Sequence, residues 1–177
     1  MAKVRARWWQ GDGNVVGMSD TSDSGGRQPV LPQLRYRDPG AAVGWLCRVF
    51  SFVEASRLAG RDGALALADL RTPGGGAVLV SGLAGPIRRQ MEAVFGAEFR
   101  EGEPAWPHLA YSVTVMVPDV DAHCAQARAE GARLVSEPRD QPWGLRDYEA
   151  VDLEGRLWNF SQHMHPVEPE DWGAEPS

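Results

Sequence analysis

Two stretches of this 177-residue chain follow one plan. "LRYRDPGAAVGWLCRVFSF" and "VMVPDVDAHCAQARAEGA" each run from a strand-like segment into an aspartate, Asp38 or Asp119, and then into a helical pattern. The offset between them is 81 residues, and Ala41 and Ala122 stand at the same place beyond each aspartate. An aspartate at the N-cap accepts a hydrogen bond from a free N–H of the first turn, and Pro39 suits the first helical turn, where no N–H is missed. The spacing predicts helices near 39–50 and 119–131. The first would bury Ala42, Trp45, Leu46 and Val49, the second Val120, Ala122, Cys124 and Ala127, with Gly131 as a natural stop.

Three strand-like segments follow each helix. After the first come "FVEASRL", "ALALADLR" and "AVLVSGL", separated by Gly60–Gly63 and Pro73–Gly76; after the second come "ARLVSE" and two alternating runs around Tyr148 and Trp158, with a turn at Leu153-Glu154-Gly155. The chain therefore reads as an internal duplication of βαβββ units, an α+β fold. Module one spans 31–82, a joint 83–107, and module two 108–162, all within one domain. In the joint, Pro86 begins a short helix with an apolar stripe of Ile87, Met91 and Val94 or Phe95.

The last strand raises the functional question. Trp158 and Phe160 alternate with Asn159 and Ser161, so the aromatic and polar pairs face opposite ways. A face of Asn and Ser is no ordinary core; it meets water or lines a pocket.

Composition narrows the classes. A hydrophobic content of 43% with seven Trp supports a globular core, and no stretch has the length of a membrane span. The start is basic but lacks the apolar core of a signal peptide. Cys47 and Cys124 have no metal-ligand spacing and read as free buried thiols, which fits a reducing cytoplasm. The net charge is −6; residues 1–30 carry +1 and 163–177 carry −4, leaving −3 on the body. A mildly acidic body argues against nucleic acid as a partner. Residues 1–30 read as a flexible extension, with Met18 as an alternative start that would place 1–17 outside the native protein, and 163–177 as an acidic tail. His163 and His165 in that tail form an HxH pair without evident acidic partners.

The tandem βαβββ units, with "PWGLRDYEAVDLEGRLWNFSQ" and "VMVPDVDAHCAQARAEGARLVSEP", resemble the vicinal oxygen chelate superfamily of glyoxalase I, ring-cleaving dioxygenases and bleomycin-resistance proteins. The resemblance covers 31–162 and implies a cupped mixed sheet with helices on its outer face, in a protein that commonly forms homodimers. If Trp158 and Phe160 pack under the second helix, Asn159 and Ser161 point into the cup. The same alternation sends Leu34, Tyr36, Val113, Val115 and Val117 outward and leaves Gln33, Arg35, Ser112, Thr114 and Met116 inside. Trp106, Trp143 and Tyr148 are candidate stacking surfaces for a flat ligand.

Metal-dependent relatives carry one ligand on each of four cup strands. Matching by caps and turns puts Leu31, Val80, Ser112 and Asn159 there, with His108 near Ser112; this set is poor for any transition metal, and no metal or other cofactor is expected. No Cys-His or Ser-His-Asp arrangement stands on facing strands, so no catalytic residue is assigned. The resemblance thus implies a metal-free binding protein of the bleomycin-resistance type, sequestering an aromatic or polycyclic antibiotic or secondary metabolite in a bacterial cytoplasm. The alternative is a metal-independent lyase, isomerase or cyclase using a carboxylate such as Asp147, Glu149 or Asp152 for proton transfer.

Overall fold

The computed structural model describes residues 30–82, Arg89, Ala93 and 111–173. The extension before residue 30 and the stripe from Ile87 to Phe95 lie outside these residues, apart from Arg89 and Ala93, which are helical. Module one comprises β1 (Gln33–Tyr36), α1 (Pro39–Val49), β2 (Val53–Ala59), β3 (Leu65–Arg71) and β4 (Ala77–Gly82). Module two comprises β5 (Val113–Met116), α2 (Val120–Ala129), β6 (Arg133–Leu134), β7 (Arg139–Asp140), β8 (Leu145–Val151) and β9 (Leu157–His163), followed by a 3-10 turn at Pro169–Trp172. The order in the first sheet is β1-β4-β3-β2 and in the second β5-β9-β8-β6, with β7 also on β8. The fold is the expected α+β pair of modules, built as two hydrogen-bonded sheets of four and five strands. Among the described residues no helix is long and apolar enough to cross a membrane.

Both helices start as their aspartates dictate. Asp38 accepts from Ala41 N and Asp119 from Ala122 N, each at 2.9 Å. Gly131 closes the second helix with φ +90°. α1 buries Ala42, Val43, Leu46 and Val49, with Trp45 partly buried against the same core. α2 buries Val120, His123, Cys124 and Ala127, whereas Ala122 is exposed. The expected strand "ARLVSE" is cut to two residues. Val135 N and Ser136 N both donate to Glu149 O, at 2.8 and 3.2 Å, which ends the regular ladder, and Pro138 has no N–H to restore it.

The duplication extends to register. In the parallel pairs β1·β4 and β5·β9, Gln33 faces Leu79 and Arg35 faces Ser81, as Thr114 faces Asn159 and Met116 faces Ser161. One aromatic-rich core serves both modules. Phe50, just past α1, meets Trp158 and Phe160 of β9 at centroid distances of 5.7 and 4.7 Å, and Phe52 meets Trp158 at 5.5 Å. His123 on α2 joins in: its Nε2–H donates to the Phe50 carbonyl at 3.1 Å, because a carbonyl only accepts, and Nδ1 takes the Tyr148 hydroxyl proton at 2.7 Å.

The hairpin turn of each module rests on the first strand of the other. Arg156, after the β8–β9 turn, donates Nη2–H to the Arg35 carbonyl and lies 4.0 Å over the Tyr36 ring. Tyr36 donates to Asp152 Oδ2 at 2.7 Å, and Arg37 N to Glu154 Oε1 at 2.7 Å. Reciprocally, Gly74 in the β3–β4 turn packs on the Met116 carbonyl so closely that a Cβ there would collide with backbone. The two modules are thus paired within one chain.

Candidate functional site

Strand alternation and register place the side chains. Leu34, Tyr36, Ala68, Leu70, Val78, Val80, Val115, Tyr148, Ala150, Trp158 and Phe160 form the core beneath the helices. The opposite face carries Gln33 and Arg35 on β1, Leu79 and Ser81 on β4, and Leu67, Asp69 and Arg71 on β3. In module two it carries Thr114 and Met116 on β5, Asn159 and Ser161 on β9, and Asp147 and Glu149 on β8. The structure therefore brings Gln33, Arg35, Thr114, Met116, Asn159 and Ser161 onto the face away from the helices. Ser112, just before β5, is exposed.

This face is polar and buried at its middle, with Gln33 and Thr114 exposed at its edge strands. Ser81 and Ser161 occupy equivalent positions and are 7% and 1% exposed, and Asp147 is 5% exposed. A flat solvated sheet would leave such side chains wet; a concave one buries its floor. The groups bond to one another: Gln33 Nε2 to Ser81 Oγ at 3.2 Å, Ser161 Oγ to Asn159 Oδ1 at 2.6 Å, and Gln141 Nε2 to Asp147 Oδ1 at 2.7 Å. Arg71 bonds Asp69 Oδ2 at 3.1 Å, while Asp69 Oδ1 is buried with no donor. Arg35 and Met116 stand opposite the two buried serines, one in each module.

Three sequence assignments change. Tyr148 is no stacking surface: it is fully buried in the core, paired with Phe160 across β8 and β9 and bonded to His123. Burial holds its hydroxyl above the usual phenol range, so it remains a donor. Val80 lies under the helices, and its neighbours Leu79 and Ser81 take the inner face. Asp152 is structural, accepting from Tyr36, from Trp158 Nε1 at 3.2 Å and from the backbone N–H of Glu154 and Arg156. Trp106 and His108 lie outside the described residues.

Trp143 stands off the inner strands, in the loop before β8, 45% exposed. It walls an open cavity of about 500 Å³ with His163, Met164, His165, Pro166 and Val167. Sequence reasoning missed His123. Its place beside Val120, Cys124 and Ala127 on the buried stripe was readable, but its partners Phe50 and Tyr148 come from distant segments.

The inner donor set does not fit the metal that many proteins of this fold hold. The four inner strands that would supply ligands present amides, hydroxyls, a leucine, a thioether, the Arg35 guanidinium, whose charge repels a cation, and a single imidazole, His163 at the end of β9. Among the described residues no group of three or more His, Cys, Asp or Glu is placed to hold a metal.

The comparisons with known proteins agree with this architecture. The model of the Glyoxalase/Bleomycin resistance protein/Dioxygenase superfamily matches residues 29–160. An uncharacterized protein of Mycobacterium tuberculosis is 29% identical over 169 residues, covering 92% of this chain and 86% of its own length. TioX from Micromonospora sp. ML1 is 35% identical, covering 80% of this chain and all of its own, with a TM-score of 0.58. TnmS3, an antibiotic binding protein from Streptomyces sp. CB03234, shares the fold at 17% identity, with 75% and 93% coverage and a TM-score of 0.53. With inner and outer faces, paired modules and sequence in agreement, the chain belongs to the glyoxalase/bleomycin resistance protein/dioxygenase superfamily.

Proposed function

We propose that the chain is a binding protein that sequesters a small aromatic or polycyclic molecule, an antibiotic or secondary metabolite, on its inner face without a metal. The supporting observation is the buried polar floor at Ser81 and Ser161, flanked by Arg35 in one module and Met116 in the other. Arg35 is the group for an oxygen-rich edge of the ligand, since a guanidinium recognises carboxylate, phenolate and carbonyl oxygens through paired N–H donors. Gln33, Thr114 and Asn159 supply neutral hydrogen bonds, and Met116, Leu67 and Leu79 supply apolar, adaptable surface. TnmS3, which shares the fold, is described as antibiotic binding, and self-protection of a bacterium is the role this reading implies. The family resemblance implies a homodimer, and the pairing of modules within the chain gives this reading one ligand site per chain.

The test is titration with a panel of polycyclic aromatic compounds, followed by tryptophan fluorescence and by mass analysis of the recovered compound. The ligand should return unchanged. Arg35→Met, which keeps much of the aliphatic stem, should weaken an oxygen-rich ligand by about 1.5–3 kcal/mol, the worth of a hydrogen bond to a charged group. If Arg35→Met and Asn159→Leu both leave affinity untouched, the ligand is not on this face. Turnover abolished by Asp147→Asn or Glu149→Gln would turn the reading to a metal-independent lyase, isomerase or cyclase.

A further inference from the structure

The cavity beside Trp143 opens at the end of β9, where His163 continues the face of Asn159 and Ser161, and it has a chemistry of its own. After β9 the chain does not leave the domain: Met164 N donates to the Gly144 carbonyl at 3.0 Å. Gly144 sits at φ +78°, and a Cβ there would strike the His165 carbonyl, so the 163–165 segment is seated against the loop by backbone contact. That loop is itself closed, with Gln141 N donating to Leu145 O at 2.7 Å and Gly144 N to Gln141 O at 3.1 Å. The result is the open cavity of about 500 Å³ with Trp143 on one wall and His163, Met164 and His165 on another.

In sequence the HxH pair has no third partner. The fold adds a thioether and an indole, and among the described residues no carboxylate lines the cavity. Two imidazoles and a thioether are too few, and the thioether too soft, for the closed tetrahedral sites of zinc or the oxygen shells of magnesium and calcium. Soft thioether ligands select Cu(I), and imidazole also suits copper. An indole face adds attraction for a bound cation. Met164 and Trp143 are 49% and 45% exposed, so an ion reaches the cavity without the domain opening. We propose that His163, Met164 and His165 bind a soft monovalent metal ion, Cu(I) or its analogue Ag(I), with Trp143 as the aromatic wall.

The test uses the full chain with methionine methyl groups labelled with carbon-13. The Met164 resonance is identified by its loss in Met164→Leu, a change at an exposed side chain that leaves the core intact. Ag(I), and Cu(I) kept reduced with ascorbate, are added by titration, because Cys47 and Cys124 are competing soft ligands. The Met164 methyl should shift with a stoichiometry of one ion per chain, and His163→Ala/His165→Ala should weaken that binding by about tenfold or more, as expected on loss of groups that support a metal site. Zinc added in equal amount should not reverse the shift. A Met164 methyl that stays in place after the thiols are filled overturns the proposal, as does a shift that survives in the double variant or one that zinc abolishes.

Discussion

Tyr36→Phe tests the pairing of the two modules within one chain. Tyr36 belongs to the first strand of module one and donates at 2.7 Å to Asp152 of module two, 116 residues away. Burial, then the Asp152 charge, push this hydroxyl well above the usual phenol range, so it is always a donor. Phenylalanine keeps the ring, its core contacts and the Arg156 guanidinium stacked at 4.0 Å, so no cavity is made. What is lost is one hydrogen bond to a charged acceptor. Asp152 Oδ2 retains Trp158 Nε1 at 3.2 Å, so the carboxylate is not left bare and the cost belongs at the lower end of the range, about 1.5 kcal/mol. Asp152→Ala is far worse, about 3–5 kcal/mol, because it breaks a buried charge cluster, leaving Arg156 with Glu154 alone and the buried Tyr36 and Trp158 donors without their acceptor. Urea unfolding followed by tryptophan fluorescence measures both, and a cycle with Asp152→Asn should show coupling above about 0.5 kcal/mol. A loss below about 0.5 kcal/mol for Tyr36→Phe, or full additivity in the cycle, would refute the contact and the module arrangement built on it.

Two further outcomes follow. Burial outweighs the Phe50 hydrogen bond and lowers the pKa of His123 in the folded state, so the unfolded chain binds the proton more readily. Stability should be full above about pH 6.5, the unfolded value, and fall as pH drops through the depressed folded value; urea midpoints across this window should show the fall, and His123→Gln should flatten it. Gly74→Ala should cost about 1–3 kcal/mol through collision with the Met116 backbone, whereas Gly63→Ala, where a Cβ meets open space, should cost only the strain of its φ of +78°; thermal melts of the two compared with wild type decide whether the close approach is real.

The duplication was legible because its signals are local. Asp38 and Asp119 cap as their spacing says, and the alternation of Trp158 and Phe160 with Asn159 and Ser161 reads directly as two faces. What failed was register. The offset between modules is 81 at β1 and β5 but 80 at β4 and β9, since Gln33 and Leu79 correspond to Thr114 and Asn159. Matching Val80 to Asn159 takes an offset of 79, one residue short of the true one, and one residue of slip moves every side chain to the other face, here from the inner face of Leu79 and Ser81 to the core. Tyr148 went astray similarly, as its pairing with Phe160 depends on how the 152–156 turn closes, by Asp152 N to Arg156 O and Gly155 N to Asp152 O. The Trp143 cavity was out of reach because it forms when the segment after β9 docks on Gly144.

Native mass spectrometry of the purified chain after incubation with a small-molecule extract of an antibiotic-producing bacterium tests the central reading most directly. The account predicts one molecule of an aromatic compound per chain, released on denaturation with the mass it has in the extract, and strongly depleted on Arg35→Met. A chain that retains nothing, or that retains the compound equally in Arg35→Met and Asn159→Leu, would contradict a ligand site on the inner face.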